Sequence, residues 1–207
     1  MAHLVVGATN PNCRELLASM FRQRYDIFVK EKGWKLKTYN GLEFDQYDTG
    51  KSVYLIEHDE EGEIAASMRM NTTDGPFMLA DLFSDMCENG LPSGRDTWEL
   101  TRGALSKNLR RSGYWGRMQC ALVEAALLFG VKKACGLFTV DHVMRQMRGG
   151  SDAKPLGQPR MIDGEANVAF QFPLNADVLQ RTRDVYKIRE PVIEHIHLMP
   201  ADEKLAA

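Results

Sequence analysis

Residues 96–105 read DTWELTRGAL, and the way this stretch is taken decides the fold. It has the pattern of a strand: Trp98, Leu100 and the small pair Gly103–Ala104 are spaced around Glu99, Thr101 and Arg102. Trp and Thr favour extended chain. A strand that only had to pack has no use for a carboxylate and a guanidinium three positions apart, so Glu99 and Arg102 each call for a partner. After it comes KNLRRSGYWG (107–116), a loop rich in glycine and arginine, and then RMQCALVEAALLFGV (117–131), an apolar run that reads as a helix buried on most sides. A helix N-terminus presents free N–H groups and the positive end of its dipole, and anions settle there. Arg110, Arg111, Gly113 and Gly116 just ahead of this helix suit a phosphate, although one glycine loop before one helix is a common arrangement.

Working upstream, SVYLIEHD (52–59) and IAASMRMN (64–71) form a hairpin around EEGE, and PFMLADLFSDMCENG (76–90) is a short helix ending at Gly90. AHLVV (2–6) is a strand and GATNPN (7–12) a turn. In CRELLASMFRQRYDIFVK (13–30), Leu16, Leu17, Met20, Phe21, Tyr25 and Phe28 recur at helical spacing until Gly33. KLKTYNGLEFDQYDTGK (35–51) is polar and without period, hence a loop, and loops of this length are often functional. Downstream, KKACGLFTV (132–140) is a strand and DHVMRQMR (141–148) a helix. GGSDAKPLGQPRMIDG (149–164) is loop and turn, and ANVAFQFPL (166–174) is a core strand. NADVLQRTRDVYKI (175–188) is a helix with Asn175 as its N-cap, and the tail from 199 to 207 is expected to be flexible. Hairpins interleaved with helices predict a mixed sheet covered on both faces, a three-layer α/β sandwich in one domain over 1–207.

Composition sets the remaining bounds. The chain has 207 residues, 44% hydrophobic and 26% charged, which allows one sizeable core. No apolar run is long enough to cross a bilayer, and the N-terminus lacks the basic and long apolar segments of a signal peptide. A cytoplasmic protein without membrane association is expected. Residues 1–99 hold 10 Lys and Arg against 17 Asp and Glu, a balance of −7; residues 100–207 hold 16 against 11, a balance of +5. That is no nucleic-acid footprint. It is either scattered solvated charge or a basic surface for an acidic partner. The four cysteines (Cys13, Cys87, Cys120, Cys135) form no CxxC pair and read as buried thiols. His195 and His197 have the spacing of a ligand pair, but without a further cluster they read as a strand end rather than a metal site.

The charged and aromatic residues follow a recognisable order: RYDIF (24–28), Gly33 with Trp34, EFDQYD (43–48), Tyr54, Met68 with Arg69, Phe83, and WELTR (98–102). This order resembles the acyl-homoserine-lactone synthases, the autoinducer synthases of bacterial quorum sensing. The resemblance covers most of residues 15–105 and continues more loosely through Thr139, LGQP (156–159) and Asp163–Gly164. It implies a splayed sheet of the N-acetyltransferase kind, in agreement with the sandwich above. One departure stands out. That superfamily's pyrophosphate loop runs R/Q-x-x-G-x-G/A, and RRSGYW (110–115) puts Trp115 in the last place.

The reaction that the resemblance implies joins two substrates and needs no cofactor or metal. An acyl thioester, on acyl carrier protein or coenzyme A, acylates the amine of S-adenosylmethionine. The methionyl carboxylate then attacks its own γ-carbon, closes a lactone and expels methylthioadenosine. A site for the sulfonium amino acid needs carboxylates for its cationic groups, guanidiniums for its carboxylate and ring faces for the adenine and sulfonium. Asp45, Asp48, Arg24, Arg69, Arg102, Phe28 and Trp34 supply these. Glu99 is the first candidate for the base that takes the amine proton, and Asp45 the second. The splay between 98–105 and 134–140 would free N–H groups for the oxyanion and open an acyl pocket lined by Leu100, Met118, Leu122, Leu137, Thr139 and Phe170. In the family the position of Thr139 is associated with 3-oxo acyl chains. The donor's phosphopantetheine end would dock at Arg110, Arg111, Gly113, Gly116, Lys132 and Lys133.

Two other readings stay open. Taken singly, Asp45 and Asp48 are also what a flexible turn uses, Phe28 and Trp34 also anchor a helix, and Arg69 with Glu99 also make a cross-strand pair. A coenzyme A-dependent N-acyltransferase acting on another amine would suit the Arg110–Gly116 loop but has no need of the 24–48 segment. A non-catalytic module of the same fold would have lost charges that are all present here.

Overall fold

Period-two alternation sorts the side chains of the central strands onto two faces, and helices cover both. The computed structural model describes residues 1–109 and 113–200. In chain order it runs β1 (Ala2–Val6), α1 (Arg14–Arg24), β2 (Thr38–Tyr39), β3 (Leu42–Glu43), β4 (Val53–His58), β5 (Ile64–Thr72), α2 (Met78–Phe83), β6 (Thr97–Leu105), α3 (Tyr114–Phe129), β7 (Lys133–Thr139), α4 (Val140–Arg148), β8 (Lys154–Pro155), β9 (Arg160–Ile162), β10 (Glu165–Pro173), α5 (Ala176–Tyr186) and β11 (Ile193–His197). The main sheet has the order β11-β1-β4-β5-β6-β7-β10-β8, with β9 also on β10. The β1/β11 and β6/β7 pairs are parallel and the others antiparallel.

One face of this sheet carries Leu4, Val53, Leu55, Met68, Met70, Trp98, Leu100 and Phe170, packed with α3, Val143 of α4, and Val178 and Leu179 of α5. The other face is divided. Val5, Tyr54 and Ile56 meet Leu17, Met20 and Phe21 of α1. Cys135 and Ala169 meet Phe77, Leu79 and Met86 around α2. The mixed, doubly covered sheet is the architecture expected from the sequence.

Several local expectations are corrected. The 13–30 helix is α-helical only to Arg24; Tyr25–Glu31 continues as a π-helix, closed by the Lys32 N–H donating to the Ile27 carbonyl at 3.0 Å. Such turns store strain and concentrate at functional places. The 35–51 loop contains a hairpin, β2–β3, around Asn40 and Gly41, whose φ values of 49° and 75° suit the tight primed turns that Asn-Gly favours. The 149–164 segment forms β8 and β9 on the edge of β10. The helix expected from residue 117 begins at Tyr114. A last strand, β11, went unread apart from its histidines. It is held by Asn10, whose buried side-chain amide donates to the carbonyls of Val6, His197 and Leu198. Asn175 caps α5 as expected, accepting from the Val178 N–H at 2.9 Å. Of the tail, residues 201–207 lie outside the described residues, and Met199 packs over Gly7, where a Cβ would run into its sulfur.

Candidate active site

Three arginines and three acids close into a ring on the face opposite α3. Arg69 is placed there by β5, between Met68 and Met70, which point the other way. Arg24 reaches in from the last residue of α1, at the start of the π-helix. Glu43 comes from the exit of the β2–β3 hairpin, and Asp45 and Asp48 from the turn after it, where the Asp45 N–H donates to Asp48 at 2.9 Å.

Each acid bridges two arginines. Glu43 accepts from Arg24 Nε at 2.6 Å and from Arg102 Nη2 at 3.0 Å. Asp48 accepts from Arg24 Nη1 and Nη2 at 2.8 and 2.9 Å and sits 2.9 Å from Arg69 Nη1. Asp45 accepts from Arg69 Nη1 at 2.5 Å and from Arg102 Nη2 at 2.8 Å. Arg69 Nε donates to Thr101 Oγ1, and the Tyr54 hydroxyl donates to Asp48 at 2.8 Å. Opposite charges alternate around the circuit, so burial leaves no charge unpaired.

The place of Arg102 is the least obvious. Regular alternation would put it with Trp98 and Leu100 against α3. The β5/β6 register instead slips between Ser67–Ala104 and Arg69–Thr101, so Arg102 and Gly103 together face Met68. Arg102 takes a left-handed φ of 54° at this bulge, costing about 1–2 kcal/mol for a residue with a Cβ. The extra residue inverts the phase. Arg102 and Ala104 turn toward the π-helix, where Ala104 packs on Ile27 and Phe28 and the Arg102 guanidinium lies 5.9 Å from the Phe28 ring centre. Leu105 returns to the α3 side. Strain of this sort persists where surrounding contacts over-determine it, and here the ring does so.

Burial works against ionising Asp48, but its hydrogen bonds and the charges of Arg24 and Arg69 outweigh that and hold the carboxyl well below the usual range. Against the cost of burial, Asp48 and Glu43 push Arg24 upward, and Asp48 and Asp45 push Arg69 upward. Tyr54 is pushed up by burial and by the Asp48 charge, which keeps it a hydrogen-bond donor. The ring opens on one side: the side chains of Asp45 and Arg102 are 14% and 9% exposed, while those of Glu43, Asp48, Arg24 and Arg69 are 2% or less. Beside that opening Phe28 and Trp34 stack with centres 5.1 Å apart, and Lys32 Nζ lies 4.8 Å from the Trp34 ring centre.

Glu99 stands apart from the ring. It accepts from the N–H groups of Met78 and Leu79, at 3.0 and 2.5 Å, at the start of α2. Burial pushes its carboxyl upward against those two hydrogen bonds. Opposite Arg69 on the neighbouring strand is Thr101, and opposite Glu99 is Asn71, so the alternative of an Arg69–Glu99 pair is not what forms. Glu43 is the residue that sequence reasoning quoted without giving it a role. Its signal was Asn40–Gly41, a hairpin turn that delivers residue 43 from an ordered strand.

The remaining residues separate. Leu100, Met118, Leu122 and Phe170 share the α3-side core, whereas Leu137 packs on the α2 side of the sheet. Thr139 caps α4, accepting from the His142 N–H at 3.3 Å. The β6/β7 ladder pairs Thr97–Lys133, Trp98–Ala134 and Glu99–Cys135 and stops there, although both strands run on to Leu105 and Thr139. That divergence is the expected splay. Of the six groups grouped for donor docking, the four that are described do not gather. Arg110 and Arg111 lie outside the described residues. Gly113 is at the start of α3, and Lys132 and Lys133 follow its other end, about 24 Å of helix away. Gly116 packs under the ring of Tyr186, where a Cβ would collide.

No group of His, Cys, Asp or Glu among the described residues has the arrangement to hold a metal, and none of their helices is long and apolar enough to cross a membrane.

Comparison with known proteins converges on one family. The family model described as autoinducer synthase matches residues 10–182. An acyl-homoserine-lactone synthase of Ralstonia solanacearum is 31% identical over 168 residues, 77% of this chain and 82% of that protein. The structure of a CoA-dependent acyl-homoserine lactone synthase, BjaI, with SAM and isopentyl-CoA, superposes with a TM-score of 0.87 at 23% identity, over 100% of this chain and 97% of that one. An N-acetyltransferase-like protein from Lactobacillus plantarum shares the fold at a TM-score of 0.60 and 17% identity, over 84% and 99% of the two chains.

Proposed function

Because the chain belongs to the autoinducer synthase family, we propose that the mouth of the charge ring, between Asp45 and Arg102, holds S-adenosylmethionine while it is acylated. The activity is acyl-homoserine-lactone synthesis. The observation that carries the site assignment is the closed ring of Arg24, Glu43, Arg102, Asp45, Arg69 and Asp48, exposed only at the Asp45–Arg102 bridge. A zwitterion is the ligand that fits such a bridge: its cationic end replaces Arg102 on Asp45 and its carboxylate replaces Asp45 on Arg102. Of the Phe28–Trp34 stack beside it, the half-buried Trp34 ring is the face for an adenine or a sulfonium, which would displace the Lys32 ammonium from it.

In the first step the amine nitrogen attacks the thioester carbonyl, gives up a proton, and the thiol leaves. Glu99 is the base we favour, reached through water, because burial raises its affinity for a proton; Asp45 orients the amine. The β6 edge beyond Glu99 has N–H groups to offer the oxyanion. In the second step the methionyl carboxylate attacks the γ-carbon. The carbon–sulfur bond breaks, the electron pair goes to the sulfonium, and methylthioadenosine departs. The acyl group arrives as a thioester of coenzyme A or of acyl carrier protein.

Product analysis tests this reading. With S-adenosylmethionine and mixed acyl thioesters the protein is expected to release methylthioadenosine and acyl-homoserine lactone in equal amounts. Acylation of another amine without methylthioadenosine would favour the general N-acyltransferase instead.

A further inference from the structure

The wedge between β6 and β7 is filled by aromatic side chains, of which only Phe170 was counted among the expected liners of the acyl pocket. Phe138 points from β7 toward Gly103, where a Cβ would sit 3.7 Å from its ring and 4.0 Å from Met68 Cε. At Gly136 a Cβ would stand 2.9 Å from the Leu100 carbonyl oxygen and 3.0 Å from the same ring. Gly136 therefore makes room for the phenyl group, while Gly103 lies in ordinary contact with it. That ring is also held from behind. It stacks on His142 with centres 4.5 Å apart at 17°, and tilts onto Phe170 at 5.6 Å. His142 meets Trp115 edge-on at 4.7 Å, and Phe170 stacks on Phe172 at 5.6 Å. Phe170 is fully buried while Phe138 is only half-buried. Phe138 is thus the first ring of the series that a group entering the splay would meet.

We propose that Phe138 forms the floor of the acyl site and makes the enzyme select thioesters of short or flat acyl groups over long straight chains. This rests on the reaction assigned above. A long chain would have to lift Phe138 off both His142 and Phe170. A short or flat group instead packs against its face, where offset or edge contacts between apolar groups and rings are favourable.

The test uses the enzyme, S-adenosylmethionine and straight-chain acyl donors from butanoyl to dodecanoyl, each offered both as the coenzyme A and as the acyl carrier protein thioester, reading methylthioadenosine release and lactone mass. The wild type is expected to lose at least about tenfold in kcat/KM between the short and the long donors, the scale on which hydrophobic pockets sort chain length. Phe138→Ala should move the optimum to longer chains with the KM for S-adenosylmethionine unchanged. Phe138→Leu should move it part of the way, and serves if the alanine variant does not fold. A wild-type preference for decanoyl or dodecanoyl donors, or a folded Phe138→Leu enzyme with the wild-type profile, overturns the proposal and leaves the reaction standing. Absence of methylthioadenosine with every donor overturns the reaction and the proposal together.

Discussion

Glu43 and Arg102 lie 59 positions apart in the chain, and the Glu43 carboxylate accepts from Arg102 Nε at 3.2 Å and Nη2 at 3.0 Å. The same carboxylate accepts from Arg24 Nε at 2.6 Å. Its side chain is fully buried. Glu43 therefore joins the one ring member that depends on a strand bulge to the one that comes from a helix end.

The first prediction concerns that joint. Glu43→Gln keeps the shape but removes the charge between two guanidiniums. Breaking a buried pair by neutralising one partner typically costs about 3–5 kcal/mol. Urea unfolding should show a loss of this size, with kcat/KM for S-adenosylmethionine falling as well. A variant as stable as the wild type would mean that Glu43 is not what sets the positions of Arg24 and Arg102.

Glu99→Gln separates chemistry from binding. A glutamine keeps one acceptor for the start of α2 and sets an amide donor against the second N–H, so the fold should survive with some loss of stability, followed by thermal melts. Turnover should fall by about two to four orders of magnitude, the usual weight of a positioned base, while binding of S-adenosylmethionine measured by calorimetry is retained. Undiminished kcat would transfer the base to Asp45.

Gly116→Ala distinguishes packing from phosphate binding. The added methyl meets the ring of Tyr186, and overpacking of this kind costs about 1–3 kcal/mol. Tm should drop by several degrees, and Gly116→Ala with Tyr186→Leu should lose less than the two single losses added together. An unchanged Tm with a raised KM for acyl-CoA alone would point back to a phosphate cradle.

Acid should loosen the edge where β11 joins the sheet. His3 stacks on His195 and His197 with centres 4.8 and 5.3 Å apart, and its Nδ1 is 3.1 Å from His197 Nε2. Burial, then the neighbouring charges of His58, His195, His197 and the N-terminus, lower its pKa to about 4. A folded pKa below the unfolded one means stability that is present above pH about 6.5 and is lost as pH falls toward about 4. His3 is partly exposed, so the effect should be modest. Thermal melts between pH 7 and pH 4 should show a decline that His3→Gln reduces; equal declines in both proteins would remove His3 from the account.

Much of this molecule could be read from the chain because alternation and helical spacing are local properties. The hairpin at 52–71, the strand at 97–105, the helix after it and the fold class all follow from residues a few positions apart. The charged residues of the site were also visible, because the order in which Arg24, Asp45, Asp48, Arg69 and Arg102 occur resembles that of the autoinducer synthases. Which of them meet is a different matter. Period two assigns Arg102 to the α3 side, and only the slip of β6 against β5 turns it to the other face. Glu43 looked like one more loop acid until its hairpin ordered it, and Glu99 proved to cap a helix outside the ring. Gly116 looked like part of a phosphate loop until α5 laid a tyrosine over it. Each of these outcomes is set by contact between segments far apart in the chain. The residue types are inherited from the sequence, but the bulge, the closed circuit of charges and the filled wedge arise only when the layers pack.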